Sequence, residues 1–340
     1  MKNNFVKSKQ RVKDFYDKVK DATVGTIDTL IEEYYHEDVV WNGPQPFNTL
    51  KGRKALAEKF WKPYMRAMPD LQKNTFMHLA GNNHFANNNE WIVSSGHYVG
   101  SFDNDFVDIP ASKGITWICY IEFNRLKDNK IIETYTIIDM LDLIRQAGIS
   151  FVPALAPEVI IPGPSSNDGV IMDTRDEEES KKSLQIIHDM AYKALSSYQD
   201  TGLGKMGLED YFTENFIWFG PCGIGTTRGL EGFRKYHQKP FLDALPDRNT
   251  YPDFFRVCFA EGNYGALIEW EGFWGTHKGG SWLGMPPSNK KIVMRDADLY
   301  LIQGDKIAEN WCYMDVVDVL LQMDVNVFER LRDGRYIKLN

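Results

Sequence analysis

Positive charge is in short supply in this chain. Its 340 residues carry 39 Lys and Arg against 47 Asp and Glu, a formal net charge of −8. No basic patch stands out against that balance, which argues against nucleic acid as a partner. Long apolar runs are missing as well. None approaches the ~20 residues of a membrane span, so no membrane partner is expected. Met1 to Lys9 is basic with no apolar segment behind it, and so does not read as a secretory signal. Cysteine is scarce: Cys119, Cys222, Cys258 and Cys312 are scattered, with neither a CxxC pair nor a His at ligand spacing. That pattern predicts reduced thiols in a cytoplasmic protein, without disulfide or metal.

What is present is ordinary in amount and unusual in arrangement. Apolar residues make up 43% and charged residues 25%, enough to bury a core. The length suggests about two domains of ~150 residues. The chain then repeats itself. Lys306-Ile-Ala-Glu309-Asn-Trp311-Cys-Tyr313-Met-Asp315 follows Lys130-Ile-Ile-Glu133-Thr-Tyr135-Thr-Ile-Ile-Asp139 at an offset of 176, and Asp142 and Gln146 return as Asp318 and Gln322. Tyr34 to Pro44 returns as Tyr211 to Pro221 at an offset of 177, placing Trp41 opposite Trp218. Gly52, Pro63 and Pro69-Asp70 return in that register as Gly229, Pro240 and Pro246-Asp247.

Helical spacing covers 5–36, with a break near Thr23-Val24-Gly25, and a further helix is predicted in each copy over 53–68 and 230–245. Strands are predicted over 75–79, 90–98 and 116–123, and again over 253–259, 265–273 and 291–302. Prolines between 151 and 164, followed by the acidic run Asp173 to Glu179, mark a linker. We therefore expect an α+β domain over 1–150, a linker over 151–180 and a second α+β domain over 181–340, each with helices packed on a curved antiparallel sheet.

The repeated stretch reads as a strand that ends at an aspartate and enters a helix. At period two, Glu309, Trp311, Tyr313 and Asp315 share one face. A carboxylate beside two aromatic rings is costly unless it is paired, exposed or placed in a pocket that raises its pKa. One reading puts Asp315 and Asp139 in such pockets. The competing reading has them capping the helices that follow. His237 lies opposite Phe60 of the first copy and reads as packing.

The run Gly275-Thr-His277-Lys-Gly-Gly-Ser-Trp282-Leu-Gly-Met-Pro-Pro-Ser288, with Arg295 and Lys306 to Asp315, resembles the SnoaL-like polyketide cyclase family of the nuclear transport factor two-like superfamily. The likeness covers most of 183–325 and, more faintly, 5–148. It implies two cone-shaped domains and a cofactor-free enzyme acting on an apolar, oxygenated small molecule, by intramolecular aldol closure or related isomerase or dehydratase chemistry. By motif, the family's general acid/base carries over to Asp315 and to Asp139. Around them, Trp218, Trp274, His277, Trp282, Arg295, Trp311 and Tyr313, with Trp41 and Tyr135 of the first copy, are the candidate substrate contacts. The first copy lacks equivalents of His277 and Arg295, which favours the second as the working site. The alternative is a carrier that keeps the pocket without turnover. Because single-domain relatives commonly pair, the two copies are expected to form an internal pseudo-dimer, with further homodimerisation left open.

Overall fold

In the computed structural model, residues 5–85, 88–197, 202–250 and 255–339 are described. Apolar side chains recur every three or four residues in Val6–Val19 and Ile27–Tyr34, so Phe15, Tyr16, Val19, Ile27, Ile31 and Tyr34 all reach one core. A third helical segment, residues 53–67, widens into a π-helical turn at Ala57–Trp61. These helices lie on a six-stranded sheet of β1 (Tyr35–Asn42), β2 (Thr49–Lys51), β3 (Gln72–Asn82), β4 (Glu90–Ser101), β5 (Ile115–Lys127) and β6 (Lys130–Ile138). The spatial order is β2-β1-β6-β5-β4-β3, antiparallel except where β1 meets β6.

After β7 (Ile149–Ser150) and a helix beginning at Glu177, the second half repeats the plan with β8 (Phe212–Phe219), β9 (Thr226–Arg228), β10 (Asn249–Thr250), β11 (Phe255–Glu261), β12 (Tyr264–Thr276), β13 (Lys291–Gln303) and β14 (Lys306–Met314). Its order is β10-β12-β13-β14-β8-β9, with β11 also on β12. Another π-helical turn, Arg234–Gln238, falls at the repeat position of the first. The C-terminal β15 (Ile337–Lys338) returns to pair with β7. Most strands run longer than the sequence suggests, and the first helix of the second half starts at 177, inside the expected linker. Asp253 and Phe254 of one expected strand lie outside the described residues.

Each sheet has two occupied faces. One looks into the hollow beneath its own helices. The other packs on the opposite sheet, where Met77, Leu79, Ile121 and Phe123 of the first half meet Val257, Phe259, Leu299 and Trp311 of the second in one buried cluster. Burying an apolar side chain of this size contributes roughly 1.5–3 kcal/mol, so this seam holds the halves together strongly. The proline-rich connection is woven into it. Ile161 and Ile171 are buried there, His78 N donates to Gly169 O (2.8 Å), and Trp311 Nε1 donates to Pro162 O (3.0 Å). No helix among the described residues is long and apolar enough to cross a membrane.

Candidate active site

The hollow of the second half remains open, with a volume of about 220 Å³. Phe212, Trp218, Phe233, Phe241, Phe255 and Phe273 form its aromatic wall, and Met190, Tyr192 and Leu195 close one side. Its floor is the inner face of three adjacent strands. On β13, residues two apart share that face, which brings Asp296, Asp298 and Tyr300 into line. Glu269 lies directly opposite Asp296 on β12, and Cys312 of β14 lies opposite Asp298. Three carboxyl groups thus converge on one apolar cavity.

Their titrations are shifted by that setting. Burial, reinforced by Asp298, pushes Glu269 up to about 8, while Arg248 opposes the rise. Burial also lifts Asp296 well above the usual carboxylate range, with Glu269 and Asp298 adding to it. Asp298 is raised by burial only to about 6, because Asn310, Cys312 and Tyr300 bond to it. The amide of Asn310 donates to Asp298 Oδ1 at 2.8 Å. Carboxyls this close cannot all ionise together, so they hold protons at neutral pH to different degrees.

His237 and Gln238 end the π-helical turn and line the cavity above this floor. Such turns interrupt the regular helical ladder and often mark functional positions. The His237 ring stacks on Trp218 at 4.2 Å and 22°. Burial, with Arg248 nearby, depresses its pKa to about 3, so the imidazole stays neutral. Among the described lining residues, Asp296 Oδ1, Gln238 Oε1 and His237 Nδ1 are buried polar atoms with no hydrogen-bond partner. Buried groups of this kind ordinarily find partners, and these border the open cavity, where a ligand could bond them.

The corresponding space in the first half is filled by the protein itself. Glu122, the counterpart of Asp298, accepts from Lys73 Nζ (2.9 Å), Tyr16 OH (2.6 Å) and Thr136 Oγ1 (3.0 Å). Burial alone would raise its pKa, but Lys73 and these donors hold it below the usual range. The Lys73 ammonium, lowered to about 8 by burial, sits 3.7 Å from the Tyr16 ring centre and 4.4 Å from that of Tyr120. Phe60 and Trp61 stand where the second half has His237 and Gln238. Glu269 has no counterpart at all. Gly96 takes its place, and a Cβ there would come within 1.8 Å of Asn74 O.

The residues singled out from the sequence fall mostly elsewhere. Trp218 lines the cavity. The expectation that Asp315 faces a cavity walled by Trp218 and Trp311 is not met. Asp315 accepts from Asp318 N (3.2 Å), capping the helix Val316–Gln322, and from Gln45 N of the other half (2.9 Å). Asp139 does the same with Asp142 N (2.9 Å) and Cys222 N (2.8 Å). Burial, with Asp318 and Asp142 respectively, pushes each up to about 7, yet neither lines the 220 Å³ hollow; Asp139 borders only a small cavity of about 20 Å³ beside His97, Trp117 and Cys222. Trp311, Tyr313 and Tyr135 all lie in the seam between sheets. Trp311 stacks on Phe219 at 5.4 Å, Tyr313 OH bonds Ser95 Oγ, and Tyr135 packs against Trp270 at 5.3 Å.

Arg295 also works between the halves, donating to Asn48 Oδ1 at 3.0 Å, with Asp315 Oδ2 3.7 Å away. His277 is fully buried, its ring held between Ser288 Oγ (3.2 Å) and Gly280 O (3.1 Å), where it pins its own loop. Trp282 stands behind the cavity wall against Phe241, Trp274 carries Lys291 over its ring, and Trp41 is core of the first half. The physical reason is strand parity. On β14, Glu309, Trp311 and Tyr313 face the other sheet, whereas Asn310, Cys312 and Met314 face the cavity. Where both faces are buried, alternation cannot say which one is the hollow. Asp296-Ala-Asp298 within a predicted strand was the available signal for the carboxyl floor.

The profile of the SnoaL-like polyketide cyclase family matches the sequence twice, over residues 10–147 and 190–323. No curated protein matches it. Among solved structures, IdmH from Streptomyces antibioticus is similar at 16% identity, over 41% of this chain and 96% of its own, with a TM-score of 0.34. TsrD from Streptomyces laurentii gives 16%, 41%, 96% and 0.34, and an NTF2-like protein from Burkholderia xenovorans LB400 gives 15%, 42%, 97% and 0.31. Among the described residues, no group of three or more His, Cys, Asp or Glu side chains could hold a metal ion.

Proposed function

The chain belongs to the SnoaL-like polyketide cyclase family, in two tandem copies, and from that premise we propose a cofactor-free acid–base enzyme working in the second cavity. The observation that carries this is the floor of three carboxyls with separated titrations under an aromatic wall. Asp298, about 6, is the ionised member near neutral pH and serves as general base. Glu269, about 8, and Asp296, raised well above the usual carboxylate range, hold protons and can donate to the oxygen of a developing enolate. The substrate is then an apolar small molecule with a carbonyl and an acidic C–H, suited to cyclase, isomerase or dehydratase chemistry. The first copy, its hollow occupied by the Lys73–Glu122 pair, acts as scaffold.

A substrate need not be known to test this. Incubated in deuterated water with phenylacetone, the protein should catalyse hydrogen–deuterium exchange beside the carbonyl, followed by proton NMR. Asp298→Asn should slow exchange by about 10²–10⁴-fold while melting cooperatively. Exchange that survives unchanged in Asp298→Asn, or that is absent from the wild type, sinks the assignment.

A further inference from the structure

We propose that the ligand of the second cavity carries a protonated amine, an N–H-bearing ammonium attached to an apolar or aromatic body. This rests on the reading of that cavity as the substrate site and adds a chemical class to it. The balance of charge comes first. Glu269, Asp296 and Asp298 line the cavity, Arg248 is the cation among its described lining residues, and no lysine is among them. The guanidinium is already engaged, with Nη2 donating to Leu195 O at 3.1 Å.

The balance of hydrogen-bonding groups agrees independently. Asp296 is 7% exposed and Gln238 4%, yet Asp296 Oδ1 and Gln238 Oε1 have no partner. Gln238 Oε1 can only accept, and Asp296 Oδ1 accepts when the carboxyl's proton sits on Oδ2, so a carboxylate or alkoxide ligand would leave Gln238 Oε1 unsatisfied. An ammonium offers up to three donors to exactly such a set, and its bonds to carboxylates are charge-assisted. The rings of Trp218, Phe241 and Phe255 around the floor suit both the apolar body and a cation, through their negative faces. The first cone shows the same principle satisfied from within. There the Lys73 ammonium lies on the carboxylate of Glu122, in contact with the rings of Tyr16 and Tyr120. The second cone keeps the carboxyl, sets it beneath rings of its own such as Trp218, Phe241 and Phe255, and has no lysine among its described lining.

The test uses three probes with a common body: phenethylamine, phenethyl alcohol and phenylacetate, titrated calorimetrically into the full chain. The amine should bind about tenfold or more tightly than the alcohol, and phenylacetate weakest. Asp298→Asn should remove most of the amine's advantage over the alcohol. Amine affinity should also rise from pH 5 to pH 8, as Asp298 (about 6) and then Glu269 (about 8) ionise. The other groups facing them do not oppose that rise. Asp296, Cys312 and Tyr300 are raised well above their ordinary values, His237 stays neutral, and an arginine is charged throughout. Equal affinities, tighter binding of phenylacetate or no binding of the amine overturns the inference. If the probes bind alike while Asp298→Asn still abolishes ketone exchange, the amine fails and the acid–base reading stands. Selective amine binding without ketone exchange supports the amine and removes the catalytic reading.

Discussion

At one position on its inner face the first sheet carries Glu122, and at the same position the second carries Asp298. The two carboxyls have opposite surroundings. Glu122 is neutralised by Lys73, bonded by Tyr16 and Thr136, and depressed in pKa. Asp298 has Glu269 and Asp296 for neighbours, accepts from Asn310, and is raised. A buried carboxylate with a full set of partners is part of the core. One crowded by its own kind above open space is poised to exchange a proton. The pair shows how a single scaffold can use the same chemical group for cohesion in one place and for reactivity in another.

The sharpest way to break this comparison is to neutralise each carboxyl and measure unfolding in denaturant. Glu122→Gln leaves the Lys73 ammonium buried without its counter-ion and should cost about 3–5 kcal/mol. Asp298→Asn removes one of three crowded acids and should leave stability unchanged or raised. Equal losses would mean that both cones are held by the same logic.

The next contrast is in pH dependence. A carboxyl whose folded pKa lies above its unfolded value binds more protons in the native state, so its contribution to stability declines as pH rises between the two values. For Glu269 that window runs from its ordinary value to about 8. Glu269→Gln should therefore gain in melting temperature relative to wild type as pH increases from 5 to 8. Glu122 is lowered, so its contribution is lost on acidification, and Glu122→Gln should approach wild-type stability as pH falls through the carboxylate range. A melting temperature of Glu269→Gln that falls relative to wild type as pH rises would contradict the raised titration.

The smallest effect belongs to the pair that is alike in both halves. Asn caps helices as well as Asp does. Asp315→Asn and Asp139→Asn keep the cap but leave Gln45 N or Cys222 N without its acceptor, so each should cost about 1–3 kcal/mol, and both should retain ketone exchange. A loss of exchange confined to Asp315→Asn would return that residue to the active site.

The repeat made the architecture legible, and it also drew attention to the wrong residues. The shared Asp–Asp–Gln pattern is scaffold. Asp139 and Asp315 cap, while Gln146 and Gln322 bridge each helix to its sheet through Trp117 N (2.9 Å) and Val293 N (2.8 Å). Identity between copies therefore marks what both must do, which is fold. The candidate chemistry sits where the copies part: Phe60 against His237, Tyr120 against Asp296, Gly96 against Glu269. His237 looked like packing because its counterpart is a phenylalanine, and it does pack, on Trp218. What sequence could not show is that its Nδ1 is buried at the cavity lining without a hydrogen-bond partner. Glu269 was further hidden by the irregularity in β12 near Glu271, whose φ is 61°, which shifts the register between copies within that strand.

The bonds from Gln45 N to Asp315 and from Cys222 N to Asp139 are reciprocal, each half lending a loop amide to the other's cap. In separate subunits such an exchange would dissolve on dilution, and the seam would be only as occupied as the protein is abundant. Here both partners arrive on one polypeptide, at an effective concentration fixed by the connection between them. The assembly is therefore indifferent to expression level. One half is also free to change without its twin having to change in step, a latitude denied to any homodimer, where every mutation is made twice.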